Sequence, residues 1–324
     1  MNFQKINKDL IITFLLVAIA GMIFFFVSNQ RAFLNFFYIP VLFGAYYFGK
    51  RYATQAATLS AIMIFLIAYF YPQTFDFKET SELYKWLDIV TWGSFLLVTG
   101  YCMGILYEKK EEKTNEVNRT YLGIIEMLSV IIDTADKHTQ SHSFRVSAIS
   151  EMLANQLGHS EQEIENIRIG ALLHDIGKLG ISAETLNKIG KLSSDERNEM
   201  NNHPKIGTNV LGSSNSRVID LLPIILHHHE RYDGSGINGL SGNDIPIGAR
   251  IVAVADVYEA LTADRPYRKA LRPSEARQNI IDESGTHFDP DIVKIFDIIY
   301  PSLLREGPMF PSATLGASMV GNRN

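Results

Sequence analysis

The chain has 324 residues, enough for two or three domains of ordinary size, and sets 35 acidic against 30 basic side chains for a formal net charge of −5. That mixed balance carries no basic stripe and excludes a nucleic-acid polymer as the natural partner. The single cysteine, Cys102, excludes an intrachain disulfide.

Residues 1–107 hold four apolar stretches, Leu10–Ser28, Ala32–Gly49, Tyr52–Tyr71 and Leu87–Tyr107. Each reaches or approaches the roughly 20 residues that carry a helix across a bilayer, so four transmembrane helices are expected. A cleaved signal peptide would need a small-residue cleavage site after Phe24-Phe25-Phe26-Val27, and none follows. Lys5, Lys8, Lys50, Arg51, Lys109, Lys110, Lys113 and Arg119 fall on one side and Arg31, Lys78 and Lys85 on the other. This places both termini and the soluble part in the cytoplasm, beneath a multi-pass inner-membrane anchor in contact with lipid. No ionisable residue lies deep in a span, which argues against a transporter. Ala53, Ala57 and Ala61 form a small-residue stripe that lets another helix approach closely.

Residues 108–120 are a dense run of mixed charge, read as a linker helix that either transmits a signal or merely spaces the domains. In residues 121–306 helical periodicity dominates, over Phe144–Leu157, Ser160–Leu173, Ser193–Asn201, Val218–His229, Ala249–Leu261, Ser274–Glu283 and Pro290–Leu304. Ser160 with Glu163 and Ser193 with Glu196 fit the capping box, and alternating strand patterns are scarce, so the fold class is all-α. Residues 307–324 are too rich in small, polar and breaker residues to pack and are expected to be disordered.

The chemistry gathers around Leu173-His174-Asp175-Ile176-Gly177-Lys178, where an apolar helix ends in an imidazole, a carboxylate and an amine. Most of the nine histidines fall between Lys137 and Glu230. The positions that matter are His142, His174, Asp175, His203, His228, His229 and Asp256, drawn from different helices. A donor set of imidazoles and carboxylates without thiolates suits divalent Fe or Mn as well as Zn, in a catalytic rather than a structural site.

With His142-Ser143-Phe144-Arg145-Val146, His174-Asp175-Ile176-Gly177-Lys178, Asn202-His203-Pro204, His228-His229-Glu230-Arg231-Tyr232-Asp233-Gly234-Ser235-Gly236, Asp256-Val257-Tyr258-Glu259-Ala260-Leu261-Thr262, Arg265-Pro266-Tyr267-Arg268 and Phe288-Asp289-Pro290 in order, residues 120–300 resemble the HD-GYP family. These are the cyclic di-GMP phosphodiesterases of the HD hydrolase superfamily. The resemblance implies two divalent metal ions bridged by Asp175, with His142, His174, His203, His228, His229 and Asp256 completing their shells. It allows a third ion at His138, one helical turn before His142. His174, Asp175 and Lys178 are then the catalytic residues, with Lys178, Arg265 and Arg268 facing phosphate or guanine. His227 and His159 read as helix surface or terminus, and His287 as structural.

One motif departs from the family. Its Gly-Tyr-Pro, one residue, then Gly-Leu appears here as Gly236-Ile237-Asn238-Gly239-Leu240, one residue shorter and without the aromatic ring or the fixed φ of proline. No ligand is touched, but the loop is expected to be differently shaped and less rigid, which bears on substrate choice and on contacts with diguanylate cyclases. The expected protein is a membrane-anchored phosphodiesterase, a homodimer being compatible with the linker. It converts cyclic di-GMP to pGpG and onward to GMP. The rival readings are a phosphodiesterase for another cyclic dinucleotide and a silent receptor.

Overall fold

A computed structural model of the chain describes residues 12–19, 21, 34–72, 82–136, 141–212, 218–264 and 268–306. His138, Arg265, the tail beyond 306 and most of the first apolar stretch lie outside them. The chain divides into two compact units, Met1–Thr120 and Tyr121–Asn324. The described residues are helical in both units and contain no strand, only an isolated bridge between Ser284 and Phe288.

In the first unit, residues 12–19 are helical and a 3-10 turn, Leu34–Phe37, leads into α1 (Tyr38–Phe48). Then come α2 (Lys50–Phe70) and α3 (Glu82–Ala135), which runs unbroken through residues 108–120. Of these, α2 and α3 are long and apolar enough to cross a membrane, while Leu34–Phe48 falls short. The alanine stripe does what its spacing implies. Ala53 and Ala57 are fully buried, and a Cβ at Gly100 of α3 would lie 3.2 Å from the Ala53 carbonyl oxygen.

The second unit begins with the last turns of α3 and continues through α4 (His142–Gln156), α5 (Glu161–Leu173), α6 (Ala183–Leu186), α7 (Ser194–Asn201) and α8 (His203–Gly212). It closes with α9 (Leu222–His227), α10 (Ile247–Thr262), α11 (Pro273–Asp282) and α12 (Pro290–Glu306). Ser160 and Ser193 both close the anticipated capping boxes, each worth about 1 kcal/mol to its helix.

The axis of this unit is α5. Its Ile167 and Ala171 join one core with Val146, Ile251 and Phe296, while Ile169, Leu172 and Leu173 join a second with Ile125, Ile132 and Ile225. A helix apolar on both sides must lie between layers, and each buried Leu or Ile contributes roughly 1.5–3 kcal/mol relative to exposure. This fixes where α5 ends, and so where His174 points.

Two elements differ from expectation. The stretch Val218–His229 is a 3-10 turn, Ile219–Leu221, followed by the short α9, because Pro223 lacks an N–H and is tolerated only in a first turn. The sequence pattern missed α8. Its Pro204, Gly207 and Gly212 read as breakers, yet Pro204 occupies the first turn and Gly207 is buried where the backbone needs room.

Candidate metal centre

Each candidate ligand sits where a helix begins or ends, apart from Asp256 within α10. His142 opens α4 behind Ser141, a non-glycine residue at φ 61°, a left-handed conformation that costs such a residue roughly 1–2 kcal/mol. His174 and Asp175 follow α5, His203 opens α8, and His228 and His229 follow α9. These termini converge. His142, His174 and Asp175 form one group and His203, His228 and His229 another, with the ligand atoms of each within 4.8 Å of one another.

Asp175 joins the two groups through its two oxygens. Oδ1 lies 3.2 Å from His203 Nε2, while Oδ2 lies 3.3 Å from His174 Nε2 and 4.0 Å from His142 Nε2. Asp256 Oδ1 lies 3.3 Å from His142 Nε2. All seven side chains anticipated as metal ligands are therefore in or beside one buried cluster.

The residues fit divalent ions on a structural ground. His174, His203 and His228 each donate Nδ1–H to the carbonyl three residues earlier, Ala171, Met200 and Ile225, at 2.7–2.8 Å. This tautomer turns a lone pair on each Nε2 toward the cluster. Among the described residues His174 Nε2 is buried without a hydrogen-bond partner, and the Nε2 atoms of His203 and His228 face each other at 3.3 Å. Opposed lone pairs in a buried site repel, and a cation shared with the nearby carboxylates relieves them.

The charge distribution agrees. Burial, then neighbouring imidazoles, push the His228 imidazolium well below its ordinary range, and burial with the neighbouring His203 imidazole lowers His229 to about 4. Both are neutral ligands at pH 7. His142 goes the other way: burial opposes its charge, but hydrogen bonds to Asp256 and Glu259 prevail and raise it to about 10. Burial opposes the charge of Asp256 and Asp175, yet His142 holds Asp256, and His174, Lys178 and His203 hold Asp175, well below the usual carboxylate range. A dication on His142 Nε2 needs the electron pair that a proton holds up to a pH of about 10. Manganese uptake at pH 7.5 is thus expected to release about one proton, with affinity rising as pH rises toward that value. Calorimetry in buffers of different ionisation enthalpy reads the number; zero release means His142 is already neutral.

Other residues in this network were not singled out from the sequence. Glu259 accepts a hydrogen bond from His142 Nδ1 and is clamped by Arg145 through Nε at 2.7 Å and through Nη2. Its signal was its place three residues after Asp256, on the same face of α10. Asp133 holds Ser143 Oγ at 2.7 Å, next to His142. The buried Glu230 carboxylate accepts from Asn238 N at 2.6 Å, Asn238 Nδ2 at 2.8 Å and Leu240 N at 3.2 Å. The altered loop is therefore pinned, contrary to the looser loop expected, because asparagine supplies donors that proline cannot.

Lys178 stands differently from its anticipated place on a phosphate. Its Nζ lies 2.7 Å from Asp175 Oδ2 and 3.1 Å from Asp136 Oδ2, and the two carboxylates raise its pKa although burial lowers it. Gly177, beside it, is a point of close backbone approach. A Cβ there would lie 1.8 Å from the His203 carbonyl oxygen, so the glycine is what lets α8 reach the site. Arg268 donates Nη2 to the Ala260 carbonyl at 2.6 Å, and its Nε is buried without a partner among the described residues. His227 belongs to neither group, its ring lowered by burial. His159 follows the left-handed Gly158 at the end of α4, and His287 stacks on Phe288 with centroids 4.2 Å apart.

Relatives of known activity share this region. The chain is 43% identical over 181 residues to the cyclic di-GMP phosphodiesterase response regulator RpfG of Xanthomonas campestris pv. campestris, covering 55% of this chain and 48% of that protein. It is 38% identical over 194 residues to a cyclic di-GMP phosphodiesterase of Thermotoga maritima, covering 59% and 53%. With the 3'3'-cGAMP-specific phosphodiesterase 2 of Vibrio cholerae it shares 34% identity over 220 residues, covering 67% and 40%. The chain spans about half the length of the first two and less of the third. The HD domain family matches residues 126–292. That match takes in the His174-Asp175 pair and every ligand position described above, and the chain belongs to the HD domain family.

Proposed function

We propose that the chain is a metal-dependent phosphodiesterase that hydrolyses cyclic di-GMP to linear pGpG and onward to GMP. The observation that carries this is Asp175, whose two oxygens address two separate imidazole groups. His142, His174, Asp175 and Asp256 would hold one ion and Asp175, His203, His228 and His229 the other, Fe or Mn suiting the donors best. A third ion at His138 stays an option of the same sequence. When bound, the ions supply the Lewis acidity that makes water nucleophilic at neutral pH and takes up charge on the phosphate. Water adds at phosphorus and the ribose O3′ leaves with a proton. Lys178 would keep Asp175 oriented and set a positive charge beside the reacting phosphate, and Arg268 and Arg265 are the candidates for binding the second phosphate or a guanine edge.

The test is turnover of cyclic di-GMP by the purified full chain, with metal content measured on the same sample. Hydrolysis that disappears on chelation and returns with manganese supports the reading. A fully metallated chain that hydrolyses no cyclic dinucleotide replaces it with the silent receptor.

A second substrate is favoured by the loop. With Ile237-Asn238 where the family has tyrosine and proline, and Asn238 bonded to Glu230, the cleft wall differs, and a relative named for 3'3'-cGAMP makes that nucleotide the alternative. Replacing Ile237-Asn238 by Tyr-Pro and one further residue removes two donors to Glu230. The ratio of kcat/KM for the two nucleotides is expected to change about five- to thirtyfold, with metal content unchanged.

The same proposal includes a multi-pass inner-membrane anchor over residues 1–107, a linker helix over 108–120, the phosphodiesterase over 121–306 and a tail over 307–324. Two long apolar helices support the anchor. Reporter fusions after Lys50 and Lys110 should read as cytoplasmic and one near Phe77 as external; an external signal at Lys110 overturns the topology. Self-association through α3 is supported by Ile124, Met127 and Ile131, exposed at heptad-like spacing while Ile125 and Ile132 are buried. Contact of the 236–240 loop with diguanylate cyclases belongs to this proposal as well.

A further inference from the structure

The first unit contains a cleft of about 710 Å³ that the phosphodiesterase reading does not use, lined by Ile12, Lys50, Arg51, Gln55, Leu59 and Tyr101 among others. Arg51 and Gln55 are exposed one turn apart on α2, and neither side chain has a hydrogen-bond or ion-pair partner among the described residues. The face of α2 that carries Ala53, Ala57 and Ile64 is buried, so this polar row is on the side that the protein leaves open. Arg51 stands at the end of the apolar stretch Tyr52–Tyr71, at head-group level, and Gln55, inside that stretch, is costly in a bilayer unless something polar meets it. The neighbouring hydroxyls do not, since Thr54 and Thr58 donate to the Lys50 and Thr54 carbonyls at 2.9 and 2.8 Å.

Two cations and an amide beside apolar walls are complementary to a particular kind of molecule. We propose that this cleft binds an anionic amphiphile, its phosphate or carboxylate head group against Arg51 and Lys50 and its acyl chain along Ile12 and Leu59. The proposal rests on the membrane reading of the first unit and is independent of the chemistry of the second. It also reaches α3. Lys50 Nζ lies 3.8 Å from Glu108 Oε2 and 6.0 Å from the centroid of the Tyr101 ring, and Glu108 Oε1 accepts from the Lys50 backbone N–H at 2.9 Å. A Cβ at Gly104 would lie 2.4 Å from Lys50 Cα, so the two helices touch backbone to backbone there. A head group competes with Glu108 for Lys50 at that point and acts directly on α3.

The test uses the full chain in nanodiscs of phosphatidylcholine, with either phosphatidylglycerol or free oleate added, and reads the bound molecules by native mass spectrometry after release. Retention of phosphatidylglycerol over phosphatidylcholine assigns the head group to the bilayer; oleate bound with no retained phospholipid assigns it to a free fatty acid. Either supports the proposal. Arg51→Gln should weaken that binding roughly tenfold, as the loss of one charge-assisted hydrogen bond does. Glu108→Gln should strengthen it, because it frees Lys50. Opposite signs in two exposed-site variants do not arise from misfolding. A chain that inserts and retains neither molecule, or an Arg51→Gln variant that binds as well as the parent, overturns the proposal alone. A chain that does not enter the discs overturns the membrane reading and the proposal with it.

Discussion

Asp175→Ala is expected to remove most of the bound metal and to lower cyclic di-GMP turnover by more than about a thousandfold, or ~4 kcal/mol of transition-state stabilisation. The geometry gives the reason. Every other ligand serves one group, whereas the Asp175 oxygens lie 3.2 Å from His203 on one side and 3.3 Å from His174 on the other. No neighbouring side chain can take over both contacts. Lys178→Ala should separate from it. Removing a cation 2.7 Å from Asp175 Oδ2 takes away a charge that repels dications, so metal should stay while turnover falls. Metal analysis and steady-state kinetics on both variants, with thermal unfolding as the control for folding, decide the matter. Parallel loss of metal in Lys178→Ala would reduce that lysine to a support for Asp175.

The candidate ligands could be picked out because several motifs in a fixed order carry them. What supports them was much harder to read. Glu259 looks like an ordinary acidic helix residue until α4 and α10 are packed together, when it closes on His142 and Arg145. Glu230 sits in a recognised motif, yet its three bonds to the loop depend on Asn238, a departure from that motif. Lys178 was placed on substrate because a sequence shows its charge and not its partners, and Asp136 lies 42 residues away along the chain. The capping boxes at Ser160 and Ser193 involve neighbours only, and they were read correctly. Helix α8 was lost for the complementary reason: Pro204 and Gly207 break helices on average, and only their position in the first turn and against the Ile176–Gly180 turn makes them compatible with one.

Gly177→Ala carries that last point to its largest consequence. The methyl group would lie 1.8 Å from the His203 carbonyl oxygen, 2.6 Å from the Gly207 nitrogen and 2.7 Å from the His203 carbonyl carbon. All three are backbone atoms of α8, so no rotamer change relieves the clash and the helix itself must move. Overpacking of this kind costs about 1–3 kcal/mol, and more where only backbone can yield. The displacement is directed: α8 carries His203, and shifting it away from the Ile176–Gly180 turn takes that imidazole from Asp175 Oδ1. His142 and Asp256 are on other helices and His174 caps α5, so all three should keep their places. The expected result is a chain that melts several degrees lower and binds metal at about half the parental stoichiometry, with turnover lost because the phosphate is held from one side only. Calorimetric melting and metal analysis on the purified variant test this. Parental metal content together with parental turnover would show that α8 has freedom to move that the packing denies it.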